Sequence, residues 1–346
     1  MKIRNILAIA LSAVMAISFT TFAFADGFEG PTEPAKAPEG IKVAFVPNDS
    51  TLSGCIVPVE AMEVVAERYG WETQTFDGQG TAEGCNAAIL NAVGWEPDAI
   101  VCVSVLASSA QQGIKAAQDA GIPIVSGSNG TDDPNPRLDV EYDFVYDIGP
   151  YYAGLGAKLA DWIKENTEGS GKVVAYDCPG SFSVEYFKNG FYEEMEAIGV
   201  EYVEDSAFTF EQLGDELNRM IINYLTKNPD TEFVFLPFDP AAVQVVEGLE
   251  AAGFMDVKVL GVLGNTEMCT LIAQGSIATA TAAYDNVYLG YACADQLIRL
   301  LNGQELFVPH GENLPSAVID ATNVPEEGQA WTPDFDYVSE FFALWD

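Results

Sequence analysis

The chain has 346 residues, of which 49% are hydrophobic and 11% aromatic, and this composition excludes an intrinsically disordered protein. Asp and Glu outnumber Lys and Arg by 52 to 15, which gives a formal net charge of −37. A surface this acidic repels nucleic acid and anionic lipid, so neither is an expected partner. The length exceeds what one core usually covers, and two lobes are therefore predicted.

Residues 1–25 carry the three-part pattern of a secretory signal peptide. Two cations precede an apolar run, and Ala23-Phe24-Ala25 follows as a cleavage site of small-x-small type. The run is too short to span a bilayer comfortably. We therefore expect cleavage after Ala25 and a periplasmic location. Residues 26–40 are rich in Gly, Pro and Glu and predict a flexible leader.

Strand and helix patterns then alternate. Strands are predicted at Ile41–Val46, Glu72–Phe76, Ala99–Val105 and Ile122–Ser126. Ile41–Val46 and Ala99–Val105 are largely apolar, which is typical of strands covered by helices on both faces. Helical patterns lie between them at Ile56–Tyr69, Thr81–Val93 and Ser108–Ala120. Gly121 follows the third helix, where a left-handed C-cap is favoured.

A second alternating series starts after a strand at Phe144–Ile148. Further strands are predicted at Lys172–Asp177, Glu201–Glu204, Glu232–Leu236, Val257–Val262, Ala278–Ala283 and Val318–Asp320. Helices are predicted at Tyr151–Glu165, Phe187–Ile198, Phe210–Thr226, Pro240–Ala252, Glu267–Gln274 and Asn286–Leu301. Six aromatic residues between positions 331 and 345 predict a packed C-terminal segment.

The two series predict an α/β protein built from two doubly wound parallel-sheet lobes joined by a three-crossover hinge. The N-terminal lobe comprises residues 41–146 plus 286–310, and the C-terminal lobe 147–285 plus 311–346. Ligands of open α/β sheets bind outside the carboxyl ends of the strands. Two lobes that face each other at those ends form a cleft that hinge motion can close.

Six cysteines in an oxidising compartment form an even set, and their spacing fits no zinc pattern. Cys102 lies in an apolar strand and Cys293 on a helix, so both are predicted to be core thiols. Cys55 and Cys85 each begin a helix in neighbouring βα units, which leaves a disulfide between them open. Connectivity cannot be fixed from spacing.

The order of motifs over residues 41 to 322 resembles the type I periplasmic binding proteins, the ribose-binding-like substrate-binding proteins of ABC transporters. The run Ile114 to Asn129 carries the resemblance most strongly, with Asp77 to Thr81 after the second strand and Pro237-Phe238-Asp239-Pro240 in the second lobe. The resemblance implies a bilobed receptor that delivers its ligand to a membrane permease. Sugar binders of this family commonly carry Asp-Arg after the fourth strand, where this chain has Ser128-Asn129.

Polar and aromatic residues at the strand ends are the predicted ligand contacts. They are Asn48, Asp49, Ser104, Ser128, Asn129, Asp177, Phe182, Glu185, Phe238, Asp239, Asn265, Tyr284 and Asp285. Ser, Asn and Asp are also the usual helix N-cap residues, so a capping role competes with ligand contact at each of these positions.

These residue types suit a neutral, hydroxylated, sugar-like ligand. Aromatic faces cover the apolar face of a ring, and Asn, Ser and Asp bond its edge. An anionic ligand would need an Arg partner, and none lies in the predicted set. If Asp177, Glu185 and Asp239 face inward as carboxylates, an amine becomes a candidate, and a nucleoside-type ligand stays open.

No catalytic set is evident, so we do not expect an enzyme. The sole His is His310, and neither a GxSxG nor an HExxH motif occurs. Asp132-Asp133-Pro134-Asn135 lacks the spacing of a calcium loop, so no metal or cofactor is predicted. The expected partners are a small ligand and a permease, the protein itself being a monomer. The alternative role is a sensing subunit for a chemoreceptor or histidine kinase, which gene neighbours would distinguish.

Overall fold

The computed structural model describes residues 27–129, 147–179, 182–209, 212–307 and 310–346. It contains two separate sheets, as the two βα series predict. The first sheet has the order β2-β1-β3-β4-β5, and all its strands are parallel. Its strands are β1 (Lys42–Pro47), β2 (Glu72–Thr75), β3 (Ala99–Val103), β4 (Ile124–Gly127) and β5 (Asp147–Ile148). Helices α1 (Ser53–Tyr69), α2 (Ala82–Gly94) and α3 (Gln111–Ala120) connect the first four strands.

The second sheet has the order β11-β10-β9-β8-β6-β7. Only β11, at one edge, is antiparallel to its neighbour. Its strands are β6 (Val173–Asp177), β7 (Tyr202–Ala207), β8 (Phe233–Phe235), β9 (Lys258–Leu263), β10 (Ala278–Tyr284) and β11 (Ser316–Asp320). The helices from here on are α4 (Tyr152–Glu165), α5 (Phe182–Ile198), α6 (Asp215–Lys227), α7 (Asp239–Ala252), α8 (Thr266–Ala273), α9 (Asn286–Asn302), the short turn α10 (His310–Asn313) and α11 (Tyr337–Trp345).

The doubly wound α/β architecture is confirmed, and its cause is visible in the central strands. All residues of β3 and β8 are buried, because helices cover both faces of each sheet. The carboxyl ends of the strands of both sheets face a common cleft, which is where the cavity described below lies.

Helix α9 returns from the second sheet to the first lobe and is buried over most of its length. Gly290 lets it approach α1 closely, since a Cβ there would come within 2.4 Å of the Pro58 carbonyl oxygen. The helix also carries a buried ion pair between Asp295 and Arg299. The Arg299 guanidinium donates to the Glu33 carbonyl at 2.7 Å, and the Trp345 indole donates to Asp295 at 2.7 Å.

The strand boundary near residue 147 differs from the predicted lobe boundary. Asp147–Ile148 pairs with β4 and so completes the first sheet rather than beginning the second lobe. The reason is the strand register, because Asp147 and Ile148 pair in parallel with Ser126 and Gly127 at the end of β4. The remainder of the predicted strand lies outside the described residues.

The predicted flexible leader is packed where the structure describes it. Ala35 and Ala37 are 1% and 3% exposed, and their amides donate to the carbonyls of Leu344 and Trp345. Trp71 also donates to the Pro38 carbonyl at 2.7 Å. Backbone pairing with α11, which the leader's composition does not reveal, orders this segment.

The C-terminal segment also departs from the predicted lobe assignment. After β11 the chain crosses the hinge a further time, and α11 packs against α9 of the N-terminal lobe. Phe341 and Trp345 are fully buried there, in an aromatic cluster with Tyr291. Burial of these large rings explains why residues 337–346 belong with the first lobe and not with the second.

The crossover between α9 and β11 holds a buried carboxyl group. Gly311, Glu312 and Asn313 have left-handed φ values of 55°, 58° and 55°. Gly311 is needed at its position because a Cβ would come within 2.3 Å of the Gly149 carbonyl oxygen. Glu312 is 1% exposed, and its carboxyl group lies beside the side chains of Asp295 and Gln296. Burial and nearby Asp295 raise the pKa of Glu312 well above its ordinary range.

Candidate ligand-binding site

A cavity of about 410 Å³ lies between the two sheets, at the carboxyl ends of their strands. The ends of β1, β3 and β4 line it from one side, and the ends of β6, β8 and β9 line it from the other. This is the place where open parallel sheets bind ligands, and the volume falls within the range of small-molecule sites.

The side formed by the first lobe, here called the N-terminal wall, carries most of the polar groups. Its polar members are Asn48, Ser53, Ser104, Ser109, Ser128 and Asn129, and Leu52 and Leu106 lie among them. The start of α1 belongs to this wall, and Leu52 at the N-cap provides no side-chain hydrogen bond to the first turn. The first amides of α1 therefore add hydrogen-bond donors to this wall.

Three strand ends at the cavity have positive backbone φ angles on residues other than glycine. Ser104 has φ 57°, Ser128 has φ 59° and Leu263 has φ 132°. Such conformations store strain and concentrate at binding and catalytic sites. Their position at three strand ends that line the cavity supports a functional role for it.

The floor of the cavity joins the two lobes through three hydroxyl groups. The Ser128 hydroxyl lies 3.0 Å from that of Tyr152 and 3.5 Å from that of Tyr284. The two tyrosine rings make an edge contact with their centroids 6.0 Å apart. Burial raises the pKa of Tyr284 to about 12, so this hydroxyl stays protonated near neutral pH.

Above the floor, the side formed by the second lobe, here called the C-terminal wall, is apolar in the residues that the structure describes. Its members are Val184, Phe187, Leu213, Phe238, Val262 and Leu263. Pro179, Pro237 and Pro240 also line this side and supply no backbone N–H group. Cys178 adds a thiol whose pKa is raised to about 11 by burial, and it stays neutral.

Six of the thirteen predicted contact residues line the cavity: Asn48, Ser104, Ser128, Asn129, Phe238 and Tyr284. Besides Ser128 and Tyr284, whose hydroxyl contacts are given above, two of these have internal hydrogen-bond partners. Asn48 accepts the Cys85 thiol at 3.1 Å, and Asn129 donates from its side chain to the Ser126 hydroxyl and from its backbone to Asp147 at 2.7 Å.

Three predicted carboxylates do not line the cavity. Asp49 accepts the amide and the hydroxyl of Thr51 at 2.8 and 2.6 Å. Asp177 forms an ion pair with Lys188 at 2.8 Å, and Glu185 is exposed on α5. The condition that favoured an amine ligand, inward-facing carboxylates, is therefore not met by these residues. The side chain of Phe182 lies outside the described residues.

Asp239 lies beneath the cavity rather than in it. It is fully buried, and its carboxylate accepts the Asn265 amide at 2.9 Å and the Thr281 hydroxyl at 2.8 Å. Gly261 leaves room for it, since a Cβ there would come within 2.2 Å of the carboxylate. Burial outweighs the hydrogen bonds and raises the pKa of Asp239 to about 6.

Asn265 and Asp285 cap helices. Asn265 accepts the Met268 amide at 2.9 Å. Asp285 accepts the Val287 and Tyr288 amides with one oxygen, and the Thr332 and Tyr337 hydroxyls with the other. Both residues border a neighbouring cavity of about 380 Å³ beside the hinge rather than the cavity between the sheets. Both have the alternative capping role that their residue types allow.

The cysteines are all unpaired thiols in this structure. Cys85 donates to Asn48, and Cys55 lies in the cavity lining beside Ser104. The Cys55–Cys85 disulfide left open by the sequence is thus not formed here. Burial raises the pKa of both thiols.

Sequence reasoning missed most of the C-terminal wall. Val262 and Leu263 look like strand residues, and Leu213 lies in a turn before α6. Nothing in their residue types separates a cavity wall from a core. Pro179 and Pro237, shortly after the ends of β6 and β8, were the available signal, because proline supplies no backbone N–H group.

The cavity lining carries no Lys, Arg, His, Asp or Glu among the described residues. The described ranges also contain no cluster of three potential metal-ligating side chains from His, Cys, Asp and Glu. In the same ranges, no helix combines the length and the apolar character that crossing a bilayer requires.

The family model of the periplasmic binding protein domain matches residues 43–305, so the chain belongs to this family. No curated protein sequence shows significant similarity to it. Among solved structures, it is similar to an ABC transporter solute-binding protein from Agrobacterium vitis bound to α-D-tagatopyranose. The identity is 19%, the TM-score 0.73, and the coverage 87% of this chain and 98% of that chain.

Two further solved structures share the fold. One is an Agrobacterium vitis solute-binding protein with bound allitol, at 19% identity and TM-score 0.71, covering 83% of this chain and 97% of that chain. The other is a 5-methylthioribose transporter solute-binding protein from Thermotoga lettingae, at 18% identity and TM-score 0.67, covering 84% and 89%. At these identities the likeness establishes the type I periplasmic binding protein fold.

Proposed function

We propose that the chain is the substrate-binding protein of an ABC transporter, which captures a small neutral, sugar-like ligand between its lobes and delivers it to a membrane permease. The observation that carries the proposal is the cavity at the facing strand ends of the two lobes, whose described lining holds no charged side chain. A neutral cavity suits a neutral ligand, because a buried charge without a partner is strongly disfavoured.

Capture requires that the ligand favour one arrangement of the lobes. A ligand that contacts both walls binds better when the lobes are closed and so shifts the hinge equilibrium toward closure. The hydroxyl groups of Ser128, Tyr152 and Tyr284 at the floor lie where such a ligand would meet both lobes. Similar solved proteins bind a polyol and a sugar, which supports a hydroxylated ligand class.

Secretion belongs to the same proposal. The family is periplasmic, and the N-terminal pattern predicts cleavage after Ala25. N-terminal sequencing of protein from the periplasm of an expressing bacterium should begin at Asp26.

A thermal-shift screen of sugars, polyols, nucleosides and amines tests the proposal. A ligand at a hundredfold excess over its Kd stabilises the folded state by about 2.7 kcal/mol, which raises the melting temperature by several degrees. Small-angle scattering of the same sample should then show a smaller radius of gyration. Failure of every ligand class to raise the melting temperature, or tight binding without compaction, would count against the proposal.

The variant Tyr284→Phe tests whether the ligand contacts the hydroxyl groups at the floor of the cavity. The change removes one floor hydroxyl and keeps the ring, so affinity should fall by up to about tenfold with the fold intact. Tyr202→Phe is the matched control, because it removes a hydroxyl bonded to Glu196 on the far side of the second lobe. Equal affinity in Tyr284→Phe and its parent would remove Tyr284 from the site.

A further inference from the structure

The two walls of the cavity differ in polarity at corresponding positions of the two lobes. The strands of the first lobe end in Asn48, Ser104 and Ser128, all with polar side chains. Three strands of the second lobe, β6, β8 and β9, end at the cavity in Cys178-Pro179, Pro237 and Leu263, and the fourth, β10, ends in Tyr284 at the floor. The two lobes have the same architecture, so the contrast arises from side-chain choice and not from topology.

The apolar character extends beyond the strand ends of the second lobe. Val184 and Phe187 on α5, Leu213 before α6 and Phe238 before α7 complete the C-terminal wall. Val184 and Leu213 are half-buried, so their apolar surface is available at the cavity. The prolines at this wall remove backbone donors that could otherwise bond a ligand hydroxyl.

The polar carboxylates of the second lobe are directed elsewhere. Asp177 pairs with Lys188, and Asp239 bonds to Thr281 and the Asn265 amide beneath the wall. A ligand that placed hydroxyl groups against the C-terminal wall would leave them without hydrogen bonds, which costs free energy on desolvation. A ligand that placed apolar surface there would gain from removing that surface from water.

We propose that the ligand has two unlike ends: a hydroxylated end that bonds to the N-terminal wall and an alkyl, thioether or aryl substituent that packs against the C-terminal wall. The inference rests on the proposed function, since it names the ligand class of the same cavity. It predicts that a plain sugar or polyol binds more weakly than the same compound with an apolar substituent.

Matched ligand pairs test this directly. Isothermal titration calorimetry would compare glucose with propyl β-D-glucoside, ribose with 5-methylthioribose, and glycerol with 1-O-propylglycerol. Each buried methylene should tighten binding about fourfold, so a fully buried propyl group should give about a 50-fold difference within a pair. At least one pair should show this preference.

Variants of each wall test which wall causes the preference for the substituted ligand. Val184→Ser replaces apolar surface on the C-terminal wall and should reduce the ratio of affinities within the pair severalfold. Ser53→Ala removes a hydroxyl from the N-terminal wall and should weaken both members of the pair alike, which keeps the ratio. Leu213→Ala repeats the first test at a second position if Val184→Ser lowers the melting temperature.

The outcomes separate the two proposals. If the plain member of each binding pair binds as tightly as the substituted member, or if the wide screen finds a purely polyhydroxylated ligand with high affinity, the two-ended ligand is wrong and the capture function stands. A ratio that is insensitive to both C-terminal wall variants also overturns the inference. If neither the pairs nor the wide screen yields a ligand, both proposals fail.

Discussion

Asp239→Asn is the perturbation whose effect can be worked out most fully from the structure. The Asp239 carboxyl group is buried beneath β9 and β10, and its pKa is raised from 3.8 to about 6. An unfolded chain would titrate this group near 3.8. The difference corresponds to about 3 kcal/mol between the two protonation states.

The sign follows from proton uptake. Between about pH 4 and pH 6 the folded protein holds a proton on Asp239 that the unfolded chain has lost, so stability falls as pH rises through this window. Below the window the contribution is present in full, and above it no further change occurs. Asn carries no ionisable proton, and Asp239→Asn should therefore lack this part of the pH dependence.

Urea denaturation at constant ionic strength, at pH 4, 5, 6 and 7, measures the effect. Because many other carboxylates titrate in this range, the informative quantity is the difference in unfolding free energy between Asp239→Asn and its parent. This difference should shift in favour of the variant by about 3 kcal/mol from pH 4 to pH 7. Asp161→Asn, at an exposed position on α4, is the control for loss of one negative charge.

A flat difference curve, or one of opposite slope, would refute the reasoning. Ligand affinity provides a second check at the same position. Asp239 does not line the cavity, so affinity near neutral pH should stay within about twofold of the parent if folding is intact. A loss of binding without loss of stability would return Asp239 to the ligand contacts.

Three other variants test the structure of the hinge and tail. Trp345→Ala should lower the unfolding free energy by about 3–5 kcal/mol in urea, because it removes a buried indole that donates to Asp295; a loss below about 1 kcal/mol would contradict the tail packing. Glu312→Gln should be more stable than its parent at pH 8 and converge with it toward pH 4, since the raised pKa makes ionisation of Glu312 unfavourable in the folded state; melting curves that coincide at every pH would disprove this. Asp285→Asn keeps one cap acceptor but cannot accept from Tyr337, so calorimetry should show about 1–3 kcal/mol lost stability, and an unchanged melting temperature would show that the Tyr337 hydrogen bond does not stabilise the fold.

The fold could be predicted because its signal is local and repeated. Continuous apolar runs such as Ala99–Val105 identify strands buried on both faces, and amphipathic segments between them identify the covering helices. The direction of the chain then identifies the carboxyl end of each strand. Asn48, Ser104 and Ser128 each come directly after a strand, and the structure places all three in the cavity lining; their contact with a ligand stays a prediction.

The rest depended on contacts between distant segments. Asp239 and Asp285 have the residue type and position of ligand contacts, yet the donors that occupy them come from Asn265, Thr281 and Tyr337, far away in sequence. The packing of the leader depends in the same way on backbone groups near residue 345. A single sequence does not encode such pairings in any local pattern.

The docking of α11 on α9 has a consequence for the order in which the lobes can form. The core of the first lobe includes Phe341 and Trp345, so it stays incomplete until nearly all of this sequence has been synthesised or translocated. Most of the second lobe, from α4 to β10, is inserted between the parts of the first, and one of its core clusters uses buried residues from 174 to 278 alone. Only its edge strand β11 follows α9. Domains usually fold in order of synthesis, but here the lobe that begins first is the one that finishes last.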